Sequence, residues 1–90
     1  MDMEGIQLEQ IAESMTQELR KQRVINSRSC IRITDVVKVP DNYQHISHDR
    51  KRKAIYTACV GDVLAITTVY EDGKIRTRVT GVSHRWRCPQ

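Results

Sequence analysis

Ninety residues with a net charge of +4, 29% charged and 39% hydrophobic, describe one small folded domain rather than a disordered chain. With no Phe, one Trp and three Tyr, its core must be aliphatic, and at this size that core is either compact or shared with a second copy. No apolar run is long enough to span a bilayer, and the acidic opening MDMEGIQLEQ is unlike the basic, then apolar, start of a secretory signal, so a cytoplasmic protein is expected.

Charge divides the chain in two. Residues 1–19 carry five acids and no Lys or Arg, a charge of −5, whereas the remainder carries +9. The acidic part reads as an amphipathic helix followed by a linker, together residues 1–29. Leu8, Ile11, Ala12, Met15 and Leu19 recur at spacings of three and four and form one apolar stripe, with Glu9, Glu13, Gln17 and Glu18 on other faces. Arg20, Lys21 and Arg23 fall at the C-terminal end, where the helix dipole favours positive charge, and NSRS (26–29) is expected to end the helix. The stripe of Leu8, Ile11, Met15 and Leu19 has two uses, covering an open side of the following domain or pairing helix to helix in a homodimer. A membrane-surface role is disfavoured, because the polar face is acidic and anionic headgroups would repel it.

From Cys30 the apolar period changes to two. CIRITDVVKV places Ile31, Ile33, Val37 and Val39 on one side and Arg32, Thr34 and Lys38 on the other, which predicts a strand with a bulge or kink at Asp35. Pro40 and Asp41-Asn42 break it. A second strand is predicted at AIYTACV (54–60), ended by Gly61-Asp62. VLAITTVY (63–70) and KIRTRVT (74–80) then form a hairpin around EDG, with Gly73 in a left-handed conformation. VSHRWRCPQ supplies one last short strand.

The run VGDVLAITTVYEDGKIRTRVTG, followed by RWRCP, resembles the central part of SH3-like small barrels. There a Gly-Asp turn leads into a strand, a polar hairpin, a second strand and a closing segment with an aromatic residue and a proline. The resemblance covers residues 31–89 and implies a basic, SH3-like antiparallel β-barrel of about five strands (30–90); with the N-terminal helix this predicts an α+β protein in one compact domain. SH3 domains of signalling proteins grip proline-rich peptides with a Trp at the start of the strand after the hairpin. This chain has Lys74 and Ile75 there, so the resemblance implies the fold and not that ligand.

Functional expectations rest on the placement of basic residues. Along KIRTRVT the apolar side is Ile75, Thr77 and Val79, so Lys74, Arg76 and Arg78 share the opposite side, about 6.5 to 7 Å apart. Arg50, Lys51, Arg52 and Lys53 are expected on a long exposed loop, and Arg85 and Arg87 flank Trp86 beside His84. Basic groups displace counterions from phosphates, and Trp86, Tyr43 or Tyr56 could stack on an unpaired base. These residues predict a non-enzymatic module that contacts DNA or RNA. The alternative is a regulatory adaptor or inhibitor that binds an acidic protein surface. The RKRK run could also act as a nuclear import signal in a eukaryotic source, or dock on the acidic helix.

Catalytic and metal chemistry is not expected. His45 and His48 with Cys59 or Cys88 could contribute zinc ligands, but no Cys-x-x-Cys or helix-borne His-Glu-x-x-His is present, and no cofactor is implied. Three widely spaced cysteines, Cys30, Cys59 and Cys88, suit reduced thiols better than a disulfide framework, with Cys59 buried in its strand.

Overall fold

In a computed structural model, residues 3–39 and 52–81 are described. They form α1 (Met3–Lys21), a 3-10 turn (Ile33–Asp35), β1 (Val37–Lys38), β2 (Arg52–Val60), β3 (Val63–Tyr70) and β4 (Ile75–Gly81). The four strands lie antiparallel in chain order, and α1 packs on β3 and β4. The protein is therefore α+β, with an open sheet rather than a closed barrel: among the described residues β1 and β4 are its two edges. A barrel buries one face of its sheet by curling it shut; here α1 covers that face instead. The expected fifth strand in VSHRWRCPQ lies outside the described residues.

The helical stripe finds its partner within the chain. Ile11, Met15 and Leu19 are fully buried and Ala12 nearly so, against Tyr56, Ala58, Ala65 and Val69 of the sheet, with Leu8 packed at the margin. Ala58 and Ala65 are directly paired across β2 and β3, and so small a pair lets the helix approach closely. Each fully buried aliphatic side chain contributes about 1.5–3 kcal/mol. Helix-to-helix pairing through Leu8, Ile11, Met15 and Leu19 would have to expose this core first.

The end of α1 comes earlier than NSRS suggests. The Val24 N–H donates to the Leu19 carbonyl at 2.9 Å and the Arg23 N–H to the Arg20 carbonyl at 3.0 Å, the paired bonds of a Schellman cap. Val24 packs against the cluster that contains Leu19, which is the apolar contact that accompanies such a cap. The left-handed residue is Arg23, at φ 60, where a side chain costs about 1–2 kcal/mol relative to glycine. Arg23→Gly is expected to raise unfolding free energy by about 0.5–1 kcal/mol in urea melts; a loss of stability would show that the exposed Arg23 side chain compensates for its own strain.

Beyond the cap, Asn26 Oδ1 accepts from the Arg28 N–H at 2.9 Å and from Ser29 Oγ at 3.1 Å, turning the chain back along the helix. Thr16 secures the return. Its buried hydroxyl accepts from the Ile31 N–H and donates to the Ala12 carbonyl, both at 2.8 Å, so a backbone donor that would otherwise be buried without a partner is satisfied.

The predicted ten-residue strand after Cys30 is corrected to a 3-10 turn and a two-residue strand. Asp35 Oδ2 accepts from the Arg32 N–H at 3.1 Å, a local side-chain bond that competes with the ladder. The kink expected at Asp35 thus consumes most of the strand. It also splits the apolar set: Ile31 joins the helix-side core, Ile33 is exposed, and Val39 joins Ile55, Leu64 and Ile66 on the opposite face.

Two turns fix the registers that position the candidate site. Gly61, at φ 59, is the first of two residues linking β2 to β3, the place where a type II′ hairpin needs positive φ. In the next hairpin the Gly73 N–H donates to the Tyr70 carbonyl at 3.0 Å and the Tyr70 N–H to the Lys74 carbonyl at 2.9 Å. With Gly73 at φ 88, this is the three-residue loop closed by a left-handed glycine that EDG predicts.

Candidate nucleic-acid interface

Strand alternation and register place the basic residues on the sheet face away from α1. Ile75 and Val79 pack toward the helix, so Arg76 and Arg78, and Lys74 at the hairpin end, project from the far side. All three are exposed. They line β4 next to a β3 column whose members change character along the strand. Arg78 is opposite Ile66 and Arg76 opposite Thr68, while Tyr70 and Lys74 are joined by the backbone bond that starts the loop. Ile66 is buried, whereas Thr68 and Tyr70 are half-buried. The accessible polar part of this face is therefore its hairpin end.

A third strand contributes there. Arg52 pairs with Tyr70, and a register shift between Arg52 and Ala54 leaves Lys53 as an extra residue in a bulge. Both belong to β2 rather than to a loop, which corrects the expected position of half of the RKRK run. The reason is cross-strand pairing: β3 runs on through Tyr70, and β2 extends to meet it. Arg52 is half-buried and Lys53 exposed. Register thus brings Arg52, Tyr70 and Lys74 into one row across three strands, with Arg76 diagonal to Tyr70. Arg52, paired with Tyr70, lies on the side of the sheet away from α1.

Tyr70 is the residue that sequence reasoning passed over. Tyr56, the expected stacking candidate in β2, is buried at 5% exposure in the helix-side core and cannot meet a base. Tyr70 lies an even number of residues from Ile66 on the same strand, so it faces the basic side. The signal was available once the hairpin loop was given its length, because that length sets which β3 residues share a face with Lys74 and Arg76. Arg50, Lys51, Tyr43, His84, Arg85, Trp86 and Arg87 lie outside the described residues.

The helix side of β4 does different work. Thr77 Oγ1 lies 2.7 Å from both Ser14 Oγ and Thr67 Oγ1, a hydroxyl chain that pins α1 to the sheet. Thr67 is fully buried, so its hydroxyl requires this partner. At the hairpin tip Asp72 Oδ1 accepts from the Lys74 N–H at 2.9 Å, which accounts for Asp72 by turn chemistry.

Elsewhere an open groove of about 420 Å³ runs between α1 and residues 30–33, lined by Glu9, Glu13, Arg20, Arg32 and Cys30 among others. Its mixed charge gives a polyanion no net attraction. Cys59 differs from expectation. Cys59 is exposed and disulfide-bonded, which also removes it from any zinc site, while Cys30 is an exposed free thiol. His45, His48 and Cys88 lie outside the described residues, and no cluster of potential metal ligands occurs among the described ones. No described helix is long and apolar enough to cross a membrane. Comparison with known proteins finds no matching family model, no similar curated protein and no similar solved structure.

Proposed function

We propose that the protein is a non-enzymatic binding module that contacts single-stranded DNA or RNA through the far face of its sheet. The observation that carries this reading is the row Arg52, Tyr70 and Lys74, with Arg76 beside it: bases spaced along strands flank a partly exposed aromatic ring. The basic groups displace counterions from the phosphates, and a base can stack on Tyr70 without regard to sequence. No described helix projects from this face to enter a major groove, so contact is sequence-tolerant. Binding to an acidic protein surface through the same bases is the second reading, favoured by the exposed charges of β4 but giving no role to Tyr70. The disulfide at Cys59 runs against the three reduced thiols expected from the cysteine spacing.

The test is titration of labelled single- and double-stranded oligonucleotides over a salt series, with Tyr70→Ala alongside the native protein. Single strands should bind more tightly, with an affinity that falls steeply as salt rises. Tyr70→Ala should lose about 1–3 kcal/mol of binding with an unchanged salt slope, because it removes stacking and no charge. An unchanged affinity in a folded Tyr70→Ala protein would remove the aromatic from the site. Failure of both strand types to bind at low salt would remove nucleic acid from the function.

A further inference from the structure

We propose that the outer edge of β4 accepts an extended acidic peptide as an added strand, a mode of binding carried by backbone rather than by the basic face alone. The hydrogen-bond phase of the β3–β4 hairpin identifies which groups are available. Because the Tyr70 N–H bonds the Lys74 carbonyl, and narrow and wide pairs alternate along an antiparallel ladder, the pairs Thr68–Arg76 and Ile66–Arg78 are also the bonded ones. The N–H and C=O groups of Arg76 and Arg78 therefore point into the sheet. Those of Ile75, Thr77 and Val79 point outward, and among the described residues no strand pairs with them. The register of β3 with β4 is continuous from Val69–Ile75 to Val63–Gly81, with no bulge or proline to blunt the edge.

What flanks the edge selects the occupant. On one side are the exposed Lys74, Arg76 and Arg78; on the other, Ile75 and Val79 are half-buried against the core, and α1 stands over them, held by the Ser14–Thr77 hydroxyl contact. An added strand would thus place every second side chain beside the basic row and the intervening ones beside Ile75, Val79 and the helix. Alternating acidic and aliphatic residues satisfy both sides, since opposite charges on neighbouring strands attract and like charges repel. A second copy pairing edge to edge would set Arg76 and Arg78 of both copies on one face, which disfavours self-association. Basic residues on an edge commonly serve to prevent such pairing; here they exclude a second copy and admit an acid.

This inference stands apart from the nucleic-acid reading, because it depends on outward amides that a nucleic acid on the far face does not need. The probe is a capped peptide of about seven residues alternating Asp and Val, compared with the same peptide N-methylated at every second residue, which keeps the charge and removes the strand hydrogen bonds. Amide hydrogen exchange should slow at Ile75, Thr77 and Val79 on addition of the unmethylated peptide, with Arg76 and Arg78 already slow in the free protein. The methylated peptide should bind at least about tenfold more weakly, and Val79→Pro, which removes one outward N–H, should weaken the native peptide by about three- to tenfold. Equal binding of both peptides, binding without protection of those amides, or no binding would each overturn the proposal. Protection that appears without peptide, together with a doubled mass in light scattering, would name a second copy as the occupant and overturn it as well. If Val79→Pro fails to fold, the two peptides on the native protein decide. An oligonucleotide that binds and leaves the Ile75, Thr77 and Val79 amides unprotected would leave the nucleic-acid reading intact whichever way the peptide result falls.

Discussion

Met15→Asp is expected to unfold the protein outright. Met15 is fully buried in the middle of the α1 stripe, between Ile11 and Leu19 on the helix and above the small residues of the sheet. The described residues offer that cluster no basic side chain, so a carboxylate there would be buried unpaired or would take up a proton at substantial cost. Losing the apolar packing adds to that, and together they exceed about 4 kcal/mol. A domain of this size has little more stability than that to lose. Gln17→Asp, on the exposed side of the same helix, is the matched control and should change stability by no more than about 0.5 kcal/mol. The measurement is circular dichroism with light scattering. A well-folded Met15→Asp monomer would mean that the stripe serves association with another chain rather than the core.

The sequence announces the helix and hides what covers the sheet for the same reason: periodicity reports which side of an element is apolar, not what lies against it. Spacings of three and four from Leu8 to Leu19 determine α1, and β-branched alternation with Gly61 and Gly73 determines β2, β3 and β4. Whether the stripe met its own sheet or a second copy depended on a tertiary partner. The Ala58–Ala65 pair is the clue that a helix lies close above, and it becomes meaningful only once the β2–β3 register is known.

The misread segment after Cys30 shows a local contest that periodicity cannot resolve. Ile31, Ile33, Val37 and Val39 alternate well, yet Asp35 bonds the Arg32 N–H and breaks the ladder, sending Ile31 to one core and Val39 to the other. The basic row was half legible for a related reason. Alternation along one strand groups Lys74, Arg76 and Arg78, but Arg52 and Tyr70 join them only through cross-strand pairing, a non-local relation. Cys59 was misread from its neighbours: Ala58 faces the helix-side core, and the next residue must therefore face the other way.

Neutralising Lys74, Arg76 and Arg78 together to Gln should cost the largest share of polyanion affinity with little loss of stability. The three line one edge strand and are exposed, and exposed charges contribute little to folding. Gln keeps the aliphatic stem that covers the strand and removes only the charge. Each basic group that meets a phosphate on a single strand contributes about 0.7 to the slope of log affinity against log salt, so the triple variant should flatten that slope by about 2. Its affinity at low salt should fall by about a hundredfold, at about 1 kcal/mol for each lost contact. Arg78 lies opposite buried Ile66 and makes interactions of its own, so Lys74→Gln/Arg76→Gln, at the open hairpin end, separates ligand contact from support of the sheet. The double variant should retain native melting and show most of the loss. Tyr70→Ala, by contrast, should lower affinity at every salt concentration by the same factor, and adding it to the double variant should shift the line down without changing its slope. A folded triple variant with native affinity and native slope would show that the β4 row carries no phosphate contact.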